Sequence, residues 1–142
     1  MARVIIQFPE RFVFSHTMDV RIYDVNHGQH LGHDRLISLI HEARNRFFQS
    51  LGYEELDIDG VGIVIADLEI TYLGEAFAGE RVRVDLAVAN FGRKNMEMFY
   101  RVVNAESEES IADAKTGVVF FDYATRKPAP VPPAFRALFD RV

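Results

Sequence analysis

Eleven residues, Asp24 to Asp34, read DVNHGQHLGHD and hold three histidines, two glycines, an asparagine and two aspartates. No apolar period runs through them, so they are not core. Histidine is the side chain whose ordinary pKa lies nearest neutrality, which suits a general base. His30 is the best-placed base here. Asp24 and Asp34 are neighbouring carboxylates that orient or replace it, and Glu42 lies a short way downstream. Asn26 is an amide; it hydrogen-bonds but cannot act as a base or a carboxylate nucleophile. Each residue also has a structural reading. Asn26 suits a turn, His30 a hydrogen-bonded loop histidine, and Asp24 an acceptor for loop amides. His27, His30 and His33 are spaced by three, but only a helical face would gather them, and Gly28 and Gly32 argue against helix. No metal is expected.

The elements that position this stretch follow from periodicity. Val, Phe, Tyr and Thr dominate 13–25, which predicts a first strand. After the polar stretch, Leu36, Leu39, Ile40, Ala43, Phe47 and Leu51 recur at three- and four-residue steps, predicting an amphipathic helix of about 18 residues that stops at Gly52. Its first amides lack internal partners and carry the positive end of the dipole, so the polar stretch opens onto an anion-stabilising terminus. Glu42 falls beside the apolar stripe. Strands are predicted at 62–72, 80–88, 95–104 and 111–123, with Ala66, Leu68, Ile70 and Tyr72 sharing one face and Val82, Val84, Leu86 and Val88 pointing inward. The Phe and Met residues of 96–99 and 120–121 read as core. KPAPVPP (127–133) cannot be a central strand, and AFRALFDRV (134–142) predicts a short closing helix.

The chain has 142 residues, no cysteine and a net charge of −5. One domain spanning 1–142 is expected. The charge and the lack of a Lys/Arg stripe disfavour nucleic-acid binding. Disulfides, a thiol nucleophile and thiolate zinc sites are excluded. The start shows no cleavage pattern and no run reaches the ~20 apolar residues of a membrane span. A cytoplasmic protein without membrane association is the expectation. One long helix against one antiparallel sheet is an α+β layer whose edges and second face a further copy would cover.

Order of elements and the polar stretch together resemble the hotdog-fold acyl-thioester hydrolases of the 4-hydroxybenzoyl-CoA thioesterase type. That family's pattern is D-x-D-x-x-G-H-V-N-N followed by E-x-A-R on the long helix. Asp24 takes the first aspartate position, Asn26 the second, His30 the histidine, Leu31 the valine, and Gly32 and His33 the paired asparagines. Ala43 and Arg44 match the end of the helix signature. DLEITYLGEAFAGERVRVDLAV and AKTGVVFFDYATRKPAPVP are similar to the family's later strands, so the resemblance covers roughly 12–133.

The resemblance implies a hotdog fold, an antiparallel sheet wrapped around one long central helix. It implies a homodimer or homotetramer with sites at the subunit interface. It implies an acyl thioester of coenzyme A or of an acyl carrier protein as substrate, with no further cofactor. Asn26, His30 and Asp24 become the catalytic candidates. The backbone at His33, with Gly32, would polarise the thioester carbonyl. Asp67 would supply a carboxylate to the partner's site, and Glu42 would line the substrate. Asn26 stands where the family's catalytic carboxylate sits, so a non-catalytic acyl-thioester-binding protein is the alternative. A hotdog dehydratase fits less well, because no loop aspartate is spaced to meet a helix histidine.

Overall fold

The computed structural model describes residues 3–140. Its strands are β1 (Phe14–Asp19), β2 (Gly62–Tyr72), β3 (Arg81–Ala89), β4 (Asn95–Asn104), β5 (Ser110–Asp122) and the two-residue β6 (Lys127–Pro128); its helices are α1 (His33–Ser50) and α2 (Pro133–Ala137). All pairings are antiparallel, in the order β1-β3-β4-β5-β2, with β6 folded back on β5. The expected sheet around one long helix is present. Among the described residues no helix is long and apolar enough to cross a membrane.

The helix follows its sequence pattern. Leu36, Leu39, Ile40, Ala43 and Phe47 are buried, joined by Arg44 and Phe48. The stop at Gly52 is a paired cap. Gly52 (φ +83°) donates to Gln49 O at 3.0 Å and Tyr53 donates to Phe48 O at 2.9 Å. These two bonds take up carbonyls the helix leaves open, and glycine tolerates the left-handed turn. α1 packs most closely over β1 and β3, which leaves its β2 flank open. The inward side chains of β3 and β4, Val82, Val84, Leu86, Met98 and Tyr100, are fully buried beneath it. Phe135 of α2 plugs one end, 5.9 Å from Phe48 and 5.7 Å from Phe120 between ring centroids. Met96, Met98, Phe99 and Phe120 are buried as expected. Phe121 instead stacks edge-on against Tyr123.

Three expectations need correction. The first strand ends at Asp19, not 25. Val20 still bonds Glu80 O, but Asp24 then accepts the Arg21 amide at 2.8 Å and turns the chain into a 3₁₀ turn over Ile22–Asp24. In β2 the ladder pairs Ile65 with Val118 and then Asp67 with Gly117, so Ala66 is a bulge. A bulge inserts one residue and shifts the alternation. Leu68, Ile70 and Tyr72 therefore share a face with Ile63 and Ile65, and Ala66 drops out of that set. The closing helix is only Pro133–Ala137, and the last two residues of the predicted segment lie outside the described ones.

The sheet's outer face is more covered than its alternation suggests. Phe8 packs on Phe99, and the Arg101 guanidinium sits 4.3 Å over the Phe12 ring. Beneath them Asp85 is buried, bonded by Ser15, Arg83 and Arg101. Burial pushes its carboxyl up, but those hydrogen bonds and the arginine charges outweigh it and hold the group below the ordinary aspartate range.

Candidate active site

The polar stretch forms an elbow tied at both ends. Asn26 and His30 close it: the Asn26 amide donates to His30 O and the Gln29 amide to Asn26 O, both at 2.9 Å. Asn26 Oδ1 accepts the Gly28 amide at 2.9 Å, an Asx turn. The elbow is pinned to the rest of the fold by Leu31 N on Ala76 O at 2.7 Å and Gly32 N on Asp24 O at 2.9 Å. Gly28 is needed for space: a Cβ there would lie 3.1 Å from both Cδ2 and Nε2 of His30.

His30 has a defined ring orientation. Its Nδ1 is 3.0 Å from Leu31 O, a carbonyl that only accepts, so Nδ1 carries the proton. Nε2 is then the free lone pair of the neutral ring. Glu75, in the turn after β2, stands 4.0 Å from Nε2. Nothing in the sequence flagged Glu75, because an acidic residue in a turn is ordinary. Its position depends on the Leu31–Ala76 contact, which joins two segments far apart in the chain.

Gly32 is the residue before the first helical turn, with extended backbone (φ −67°, ψ 147°). The amides of His33, Asp34 and Arg35 begin the helix and have no carbonyl one turn behind them. The His33 carbonyl accepts the Tyr72 hydroxyl at 3.1 Å, which fastens the helix start to the end of β2. Burial raises the Tyr72 pKa, and the Asp34 charge adds to it, so the phenol stays a donor.

The other candidates are placed elsewhere. Asp24 is buried, with both carboxylate oxygens on Arg21. Burial raises its pKa, but the Arg21 hydrogen bonds and the Arg21 and Arg35 charges win and hold it low. Glu42 is bonded to Arg46 at 2.7 Å on the opposite flank of α1, where it lines a cleft of about 730 Å³ between that helix and β1. Asp67 Oδ1 accepts the Gly117 amide at 2.7 Å, replacing a ladder bond at the bulge. Asn26, His30, Gly32 and His33 thus come together; Asp24 joins them only through its backbone carbonyl on Gly32, and Glu42 and Asp67 do not join them within one chain.

A groove leads away from the elbow between α1 and β2. His33, Ile37, Ile40, His41 and Arg44 recur at helical steps along one side. Tyr72, Leu68 and Ile65 run antiparallel along the other. The part lined by Ile37, Ile40, Ile65 and Leu68 encloses about 270 Å³. Ile37, Ile65, Leu68 and Tyr72 are each 37–40% exposed. β2 is an 11-residue edge strand with apolar side chains open to solvent, a surface that ordinary monomers avoid.

One helix gripped by an antiparallel sheet, with a polar elbow feeding free helix amides and an apolar groove beside them, defines a hotdog domain built to handle an acyl group. The chain belongs to the thioesterase-like superfamily, whose family model matches residues 20–139. That is a family of thioester hydrolases. It is 28% identical over 102 residues to a 1,4-dihydroxy-2-naphthoyl-CoA hydrolase of Synechococcus elongatus, covering 69% of this chain and 74% of the relative. Among solved structures it resembles a 1,4-dihydroxy-2-naphthoyl-CoA thioesterase from Synechocystis, with TM-score 0.81, 22% identity, and coverage of 90% of this chain and 96% of the other. A Staphylococcus aureus protein solved in complex with CoA has the same fold, with TM-score 0.81, 19% identity, and coverage of 95% and 85%.

Proposed function

We propose that this protein hydrolyses an acyl-CoA, or the same acyl group on an acyl carrier protein, with His30 as general base. The observation that carries this is the His30 ring. Its Nδ1 is committed to Leu31 O, and Nε2 is left as an acceptor in the elbow that leads into α1. Water attacks the thioester carbonyl carbon and gives its proton to Nε2. The carbonyl oxygen, as it gains charge, is stabilised by the amides at His33 and the helix dipole. The tetrahedral intermediate then expels the thiolate, and the imidazolium returns the proton to sulfur. Glu75 faces the imidazolium while it exists. A charge pair at 4 Å is worth about 1 kcal/mol even in bulk water, and more as the site dries. Asn26 orients the elbow and leaves the proton transfer to His30. The apolar groove takes the acyl chain.

This reading calls for a second copy pairing along β2. It would cover Ile65, Leu68 and Tyr72 and roof the groove. A homodimer, or a tetramer of two such dimers, is proposed on that ground.

The test is a panel of short, long and aromatic acyl-CoAs with a thiol-reporting dye, on wild type and His30→Ala. Turnover by wild type and a kcat loss of about 10²–10⁴ in the folded variant are expected for loss of a general base. No turnover of any substrate would refute the proposal.

Asn26 favours one rival reading, a protein that binds acyl thioesters without cleaving them. Its Oδ1 is committed to the Gly28 amide, and an amide cannot serve as the base. Asn26→Asp separates the two. In a binder it creates activity. In an enzyme run by His30 it brings no gain.

A further inference from the structure

We infer that Arg44 makes the groove selective for an acyl group that ends in a hydrogen-bond-accepting oxygen. This rests on the thioesterase reading and names its substrate class. Arg44 lies on the groove-facing side of α1, eleven residues beyond His33, which places its Cα about 16 Å along the helix from the thioester end. Its side chain leans back toward the helix start, as helical side chains do. The acyl group therefore meets hydrocarbon first, at Ile37 and Leu68, and then Arg44 and Thr116, which line the same cleft.

The guanidinium is poorly used by the protein. Its side chain is only 8% exposed. Its Nη1 reaches the Tyr100 hydroxyl at 3.4 Å, and that hydroxyl is already 2.8 Å from Thr116 Oγ1. Its Nε faces Glu55 Oε1 at 3.5 Å in an ion pair without a hydrogen bond, so the donors that remain for a ligand are those of its Nη groups; among the described residues Nε and Oε1 have no hydrogen-bond partner. His41 approaches the same Glu55 oxygen at 3.3 Å. An arginine carries five N–H donors, and buried ones are normally all filled. An under-bonded guanidinium at the end of an apolar slot is a donor set that an acceptor can still fill. An acyl group with a distal oxygen fills it. A hydrocarbon end of equal length displaces water from it and gives nothing back, and sites of that kind reject the analogue lacking oxygen. Glu55 half-neutralises the charge, so a neutral hydroxyl or keto oxygen suffices and a full carboxylate is not required.

The experiment compares hexanoyl-CoA, 6-hydroxyhexanoyl-CoA and adipoyl-CoA on wild type, Arg44→Lys and Thr116→Val. Hydrolysis is followed by thiol release, and binding of the same three compounds by calorimetry. Wild type is expected to favour the oxygenated acyl groups by tenfold or more in kcat/KM, mainly through KM. Arg44→Lys keeps the charge but loses the planar fork, and should reduce that ratio to about threefold or less. Thr116→Val should lower it too, and it reports even if the arginine variant does not fold. The hydroxyl and carboxylate arms show which oxygen the site takes. Equal rates on all three substrates, or a ratio that survives both variants, would overturn the inference and leave the thioesterase reading standing. Saturable binding with the oxygen preference but no hydrolysis would overturn the thioesterase reading and uphold the role of Arg44. Neither binding nor turnover would overturn both.

Discussion

Gly28→Ala offers the sharpest test of whether His30 Nε2 works in the reaction. The new methyl would sit 3.1 Å from Cδ2 and Nε2 of His30 and 3.3 Å from Asn26 Oδ1, whereas ordinary contact begins near 3.4 Å. Gly28 is not among the glycines with positive φ, so alanine fits its backbone without strain. The chain itself should tolerate the change, since replacing glycine at a compatible site lowers the entropy of the unfolded state and stabilises by about 0.4–1 kcal/mol, offset here by the crowding. A melting temperature within roughly 2 °C of wild type is expected. The imidazole must give way by about 0.3–0.5 Å. A 1 Å misplacement costs about 10²-fold, so kcat should fall about 4- to 10-fold. Circular dichroism melts and thiol-release kinetics on one protein preparation read both effects. An unchanged kcat in a fully folded variant would show that the Nε2 edge of His30 is not where the proton goes.

Two further outcomes check the surrounding structure. Asp67→Asn keeps an oxygen for the Gly117 amide, so fold and activity should stay within about twofold of wild type; a tenfold loss in thiol release would restore Asp67 as a carboxylate acting across the subunit seam. Asp85 has a carboxyl held below its unfolded value of ~3.9, so its contribution is complete above about pH 5 and is lost as pH falls through the lower, folded value. Asp85→Asn should therefore destabilise by about 2 kcal/mol at pH 7 and flatten the acid limb of stability between pH 5 and 2, seen in urea melts at several pH values. An acid limb as steep as that of wild type would mean other carboxylates carry it.

The sequence by itself determined what depends on neighbours in the chain. The helix over 33–50, its stop at Gly52 and the succession of strands along the chain were readable because a 3.6-residue or two-residue period is a local signal. The elbow was readable for a related reason. A run of histidines, glycines and Asn26 without apolar period has no place in a core, and in the structure the elbow ties Asn26 to His30 as that composition allows. Tertiary structure alone decided the rest. Whether Glu75 or Asp24 stands near His30 depends on Leu31 pairing with Ala76, a contact across 45 residues of chain. The Asp24 carboxylate is bonded to Arg21, three residues away, because a buried carboxylate takes the nearest strong donor. The bulge at Ala66 moved Asp67 onto Gly117 and left Ile65 and Leu68 on one side of the sheet, a choice made by strand register and invisible to alternation. Arg44 reads as the end of a helix signature, and only its packing beside Glu55, Tyr100 and Thr116 made it a buried donor at the end of an apolar groove. Local periods set which elements form; long-range contacts set which side chains meet, and the chemistry follows from the meetings.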